Sequence, residues 1–136
     1  MSCADILIVE DNADDVLVAR RAFHAAQLDD RIAVTSACRD ALEYLFDGSA
    51  PLPRVVLLDL GLPGADGKSL LRCLRSCDRT RNLPVVVVSA SEHPDDVADC
   101  YRMGANSFVV KRYAGGSPGR YMVDIARYWL NLNRSA

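Results

Sequence analysis

The sequence predicts an α/β fold: a five-stranded parallel sheet in the order 2-1-3-4-5, doubly wound by helices on both faces. Three observations predict it. The apolar runs ILIV (6–9), VVLL (55–58), PVVVV (84–88) and SFVV (107–110) are continuous rather than alternating, as expected of strands buried on both faces. Helical spacing fills the intervals between them, and right-handed crossovers then leave few topologies other than successive βα units. Each run also ends in a chemically active residue: Glu10 and Asp11, Asp59, Ser89, and Lys111.

The elements follow in order. Asn12 is a good N-cap for a first helix over 13–27 with Val16, Ala19, Phe23 and Ala26 inward. A short strand follows at 32–35. The second helix, 39–46, carries Leu42, Leu45 and Phe46 on one side and stops at Asp47 and Gly48. After the strand that ends at Asp59, the turn LGLPGADG (60–67) has three glycines and a proline for a tight curve, and Asp66 can cap a third helix bearing Leu70, Leu71 and Leu74. His93 and Pro94 open the fourth helix, with Val97, Cys100 and Tyr101 inward and Gly104 at its end. Ser117 and Pro118 repeat that start signal for a fifth helix reaching Leu132.

In the 2-1-3-4-5 order, strands one and three lie side by side at the switch point, where ligands bind beyond the carboxyl ends. Glu10, Asp11 and Asp59 become neighbours, and strands four and five bring in Ser89 and Lys111. Three carboxylates, a hydroxyl and an ammonium therefore converge on one edge.

The bulk composition narrows the setting. With 136 residues, half of them hydrophobic, the chain is expected to be a single domain over 1–136 with no output domain. A net charge of −2 from 16 basic and 18 acidic side chains argues against nucleic acid as a partner. The apolar stretches are too short for a bilayer, so no membrane partner and a cytoplasmic location are expected. Five cysteines without a framework spacing suit reduced thiols. Cys73 and Cys77, one helical turn apart, have no nearby histidine or third cysteine to complete a metal site, and structural thiols are the better reading.

The joint pattern VEDN, LLDLGLPGADG, VVVSAS and GANSFVVK, with its inter-motif distances, resembles the receiver domain of two-component response regulators, a flavodoxin-like fold, over nearly the whole chain. The resemblance implies a stand-alone phosphorelay protein rather than a conventional enzyme, with Asp59 accepting a phosphoryl group from a phosphohistidine on a sensor histidine kinase. It also implies catalysis of both phosphorylation and dephosphorylation by the chain itself. Ser89 and Phe108, three residues before the lysine, take the switch positions, and the responsive face is that of the fourth helix, fifth strand and fifth helix. VEDNADD, the DLGLP turn and the late RYWL are similar to single-domain regulators associated with phytochrome-type kinases.

The side chains support the same chemistry independently. Unit charges about 4 Å apart repel by roughly 4 kcal/mol at an effective dielectric near 20, so clustered carboxylates require a proton or a cation among them. Hard oxygen ligands suit Mg²⁺ or Mn²⁺. Asp11 and Asp59 are expected as direct ligands, Glu10 through water, and the carbonyl of Gly61 as the remaining protein ligand. Asp59 is then the nucleophile, while Lys111 and Ser89 stabilise the transferred group.

Some features depart from the receiver pattern. Receivers usually follow the lysine with proline, whereas Arg112 and Tyr113 follow Lys111, so either a trans bond with an altered loop or a strained bond is expected. The last helix carries Met122, Ile125, Trp129 and Leu132 on one face, with Tyr121, Tyr128 and Leu130 around it, which suggests a two-fold dimer through that helix. Two readings from other classes fit less well. A metal-dependent aspartyl phosphatase needs a second aspartate where Gly61 stands, and a flavodoxin-like redox protein needs a hydroxyl-rich loop where this chain has acids.

Overall fold

Alternate side chains of each central strand point to opposite faces of a sheet that is covered on both sides. The computed structural model describes residues 4–48, 50–60, 66–111 and 118–134, and of Asp66 the backbone only. The strands β1 (Ile6–Val9), β2 (Ile32–Thr35), β3 (Val55–Asp59), β4 (Val85–Ser89) and β5 (Ser107–Val110) are parallel and lie in the order 2-1-3-4-5. The helices are α1 (Ala13–Ala25), α2 (Cys38–Leu45), α3 (Asp66–Ser76), α4 (Pro94–Arg102) and α5 (Arg120–Arg127). Ile6, Ile8, Val55, Leu57, Val86 and Val88 pack under α1 and α5 around Phe23, Met122 and Val123. Leu7, Val9, Val56, Leu58, Val85 and Val87 pack on the other face against Ala41, Leu45, Leu70, Leu71, Leu74 and Cys100. The predicted fold class is the one observed.

Local chemistry sets the helix ends. Asn12 caps α1 as expected, its Oδ1 accepting from the amides of Asp14 and Asp15 at 2.9 and 3.0 Å. The helix ends two residues early, at Ala25, because Gln27 turns left-handed (φ 61°) and the Leu28 amide donates back to Phe23 O at 2.8 Å. His93 caps α4 with its ring Nδ1, and Pro94 takes the first position. The expected Asp66 cap of α3 rests on a side chain and a turn that lie outside what is described. The turn at 61–65 and the loop at 112–117, with the Lys111–Arg112 peptide and Ser117, lie outside the described residues, as does Cys3.

Several inward faces differ from expectation. In α2 the buried pair is Ala41 and Leu45; Leu42 is only partly buried, and Phe46 is 39% exposed because the helix ends before it and its side chain rotates outward. In α4 Cys100 is buried but Tyr101 is 49% exposed, its hydroxyl accepting from the Phe108 amide on the edge strand at 3.1 Å. The fifth helix starts at Arg120, not at Pro118, after Gly119 at φ 79°. A Cβ on Gly119 would come within 3.0 Å of Val18 and Ala22, so only glycine lets α5 approach α1 this closely. Its buried stripe is Met122, Val123, Ala126 and Leu130, with Ile125 and Trp129 half-buried and Leu132 77% exposed. Past Arg127 the turn widens over Tyr128–Leu132, where the Asn133 amide donates to Tyr128 O at 2.7 Å, and the wider turn shifts the face on which each side chain emerges. Cys73 and Cys77 are half-buried and belong to no metal-ligating group among the described residues. No helix among the described residues is long and apolar enough to cross a membrane.

Arg75, near the end of α3, ties the amino-terminal edge of the sheet together. It donates from Nε to Gly104 O at 2.9 Å, from Nη1 to Leu83 O at 2.8 Å and Arg81 O at 3.1 Å, and from Nη2 to Asn106 Oδ1 at 2.8 Å. Gly104, at φ 104°, passes so close that a Cβ there would meet the Arg75 side chain at 2.8 Å. Arg75→Met keeps the aliphatic stem but leaves these carbonyls without a donor. It is expected to lower unfolding free energy by about 2–4 kcal/mol in urea denaturation. An unchanged midpoint would show that water replaces the guanidinium without cost.

Candidate functional site

Strand register decides which side chains meet. Val9 pairs with Leu58 and Asp59 with Val88, so Glu10, one residue past β1, comes beside Asp59 at the end of β3. Ser89 pairs with Val110, which places Lys111 one step beyond Ser89. Burial is deepest at the acids: Glu10 is 1% and Asp59 5% exposed, and Ser89 is buried beside them.

Lys111 Nζ sits among three carboxylates. It donates to Asp59 Oδ2 at 2.8 Å, to Asp15 Oδ2 at 3.3 Å and to Glu10 Oε2 at 3.4 Å. Oxygens of Glu10, Asp15 and Asp59 all lie within 4.8 Å of one another. Three carboxylates, two of them buried, against one ammonium leave an excess of negative charge, and the protonation states respond to it. Burial, then a hydrogen bond and charge repulsion from Asp59, push the Glu10 carboxyl up to about 7, against the pull of the Asn12 amide and Lys111. Burial alone would lower the Lys111 ammonium, but its hydrogen bond and ion pair with Asp59, helped by Glu10 and Asp15, raise it instead. Burial raises the nearby Tyr121 phenol.

Of the residues expected at the site, Glu10, Asp59 and Lys111 come together. Asp11 is exposed and stands outside the triad of carboxylates, and Gly61 lies outside the described residues. Sequence reasoning missed Asp15. The signal was available: Asn12 caps α1, so an acid in the first turn of that helix is brought back towards the end of β1. Ser89 Oγ accepts from the Ser91 amide at 3.1 Å, and a cavity of about 200 Å³ opens beside it, lined by Leu60, Gly67, Lys68, Ser91 and Asp96. Phe108 is partly buried against the core under α4.

The donor set can be tested against a cation. It is all oxygen, carries more negative charge than Lys111 neutralises, and spans the distance over which one ion can be shared. A hard divalent cation fits it, and a zinc-like ion that prefers nitrogen or sulfur does not.

Residues 6–117 match the response regulator receiver domain family. The chain is 38% identical over 133 residues to the probable methanogenesis regulatory protein FilR2 of Methanothrix harundinacea (strain 6Ac), covering 96% of this chain and 86% of that one. Among solved structures, the phosphorylated cyanobacterial phytochrome response regulator RcpA superposes with a TM-score of 0.82 at 28% identity, covering 98% of this chain and 99% of that one. The Mn²⁺-bound form of response regulator Rcp1 superposes with a TM-score of 0.81 at 25% identity, covering 96% and 97%; Rcp1 of Synechocystis sp. (strain ATCC 27184 / PCC 6803 / Kazusa) is also a sequence relative. A parallel sheet in this order, an aspartate, a lysine and a serine at adjacent strand ends, and a family match over 6–117 have one common explanation: the chain belongs to the response regulator receiver domain family.

Proposed function

We propose that this receiver takes a phosphoryl group from the phosphohistidine of a sensor histidine kinase onto Asp59, and that the kinase is of the phytochrome type. The observation that carries the first part is the 2.8 Å contact from Lys111 Nζ to the buried Asp59 Oδ2, beside buried Glu10 and half-exposed Asp15. The likeness to RcpA supports the second.

Asp59 supplies the attacking carboxylate oxygen. A P–O bond forms as the P–N bond to the donor imidazole breaks, and the imidazole nitrogen takes up a proton. Lys111, already anchored on Asp59, faces the charge that develops on the transferred oxygens, and Ser89 donates its hydroxyl to them. A Mg²⁺ or Mn²⁺ ion held by Asp59, Glu10 and Asp15, with Asp11 at the rim, would supply the remaining positive charge. The same groups serve hydrolysis of the aspartyl phosphate, with water as the attacking group.

Output follows from movement of Ser89 towards the phosphoryl group. The space it leaves admits Phe108, whose amide is held by the Tyr101 hydroxyl, so α4 and β5 respond together. Tyr128 and Leu132, exposed beyond α5, provide a face for pairing with a second copy.

Incubation with acetyl phosphate and Mg²⁺ is expected to add one phosphoryl group by intact mass, and none in Asp59→Asn. Lys111→Ala is expected to slow the reaction by about 10²–10³. Addition of equal size to Asp59→Asn would overturn the assignment. The phosphorylated sample is expected to sediment as a dimer; a monomer at high concentration would remove the pairing.

The raised Glu10 carboxyl makes a second prediction. Between the ordinary value of 4.5 and about 7, the metal-free folded protein holds a proton that the unfolded chain has lost, so stability falls as pH rises through this window. The urea midpoint of chelator-treated protein is expected to drop from pH 5 to pH 7.5. Glu10→Gln should flatten that drop, and saturating Mg²⁺ should offset it. A wild-type midpoint that rises over the window in chelator would contradict this.

A further inference from the structure

At the edge of the sheet opposite the carboxylates lies a basic hollow that the phosphoacceptor chemistry does not use. Two adjoining cavities, of about 320 and 360 Å³, share Asn106 and Trp129 as a common wall. Arg75, Arg81 and Arg134 line the first. Asn106 precedes β5 and Arg81 precedes β4, so this opening is at the amino ends of the strands, whereas Asp59 and Lys111 stand at the carboxyl ends.

The charge of the hollow is poorly compensated. Every acceptor of Arg75 is neutral: four backbone carbonyls and Asn106 Oδ1. Neither Arg75 nor Arg134 has a carboxylate partner among the described residues, and Arg81 reaches only Asp78, at 3.6 Å with both side chains well exposed. The clamp at the end of α3 accounts for Arg75, but it leaves unexplained why two further guanidinium groups border the same opening. Arginine's planar fork matches phosphate oxygens, and mutual repulsion of the three is relieved by an anion between them.

The rest of the lining suits a flat ring. Trp129 is half-buried and braced edge-on by Tyr128, with centroids 5.4 Å apart and an interplanar angle of 84°. It is placed there by the widened turn over Tyr128–Leu132, a feature common at functional sites. Asn106 Oδ1 is occupied by the Val85 amide and Arg75, which leaves its amide NH₂ as a donor, and Asn82 and Asn133 add further amides at the rim.

We infer that this hollow binds a small planar anion of the mononucleotide class, with the ring against Trp129 and the phosphate at Arg81 and Arg134. The site is independent of Asp59.

Trp129 is the sole tryptophan of the chain and lines this hollow, so its fluorescence is the probe. Full-length protein is titrated with AMP, adenosine and inorganic phosphate as separate probes. AMP is expected to change the signal saturably below about 1 mM, with adenosine and phosphate each at least about tenfold weaker. The double variant Arg81→Ala/Arg134→Ala should weaken AMP by about tenfold or more, Arg134→Gln alone should weaken it in the same direction, and Asp59→Asn should leave it unchanged. Thermal unfolding of each variant checks that the fold is kept. No saturable response to AMP up to about 10 mM, adenosine binding as tightly as AMP, or equal AMP affinity in a folded double variant would overturn the inference.

Discussion

The ammonium of Lys111 among Glu10, Asp15 and Asp59 is the contact on which the account depends. Three carboxylates, two of them buried, cannot crowd together in ionised form without cations, and one lysine supplies a single charge. The molecule answers partly by holding a proton near Glu10, whose carboxyl sits at about 7. That answer is reversible, which is what a site that must admit a cation and then a phosphoryl group needs. A permanently neutralised cluster, with a second lysine for instance, would be more stable and would have no reason to bind either.

The same constraint explains why the sheet is built as it is. Only parallel strands place all their carboxyl ends on one side, and the 2-1-3-4-5 order sets the ends of β1 and β3 next to each other. The strands themselves are nearly all apolar, so the polar residues are confined to the positions where each strand runs out. The opposite edge collects arginines near helix carboxyl ends, where Arg75 bonds to carbonyl groups and stabilises the ends of loops. The chain is thus acidic at one end of the sheet and basic at the other despite a small net charge.

Much of this was legible in the sequence because continuous apolar runs and caps are local signals. The strands, the Asn12 and His93 caps, and the meeting of Glu10, Asp59 and Lys111 follow from residue type and order. Side-chain facing was less legible. Tyr101 reads as inward by helical spacing, yet its hydroxyl finds the unpaired amide of an edge strand and draws the ring to the surface. On α5 the regular helix buries Val123 and Ala126 where the reading had Ile125, and past Arg127 the turn at Tyr128–Leu132 departs from the ordinary helical period and leaves Leu132 exposed. Asp15 escaped notice because an acid in the first turn of a helix is ordinary, and only the capped start of α1 shows that it reaches back to the site. Asp11 is the converse: adjacent to Glu10 in sequence, it emerges on the exposed side.

Paramagnetic broadening by Mn²⁺ tests the central claim most directly, since it locates the cation among the side chains without requiring any reaction. With substoichiometric Mn²⁺, the amide signals of Glu10, Asp15, Asp59 and Lys111 are expected to disappear together while the Trp129 indole signal persists. Broadening centred on other acids, such as Asp95 and Asp96, with those four signals retained, would contradict the account.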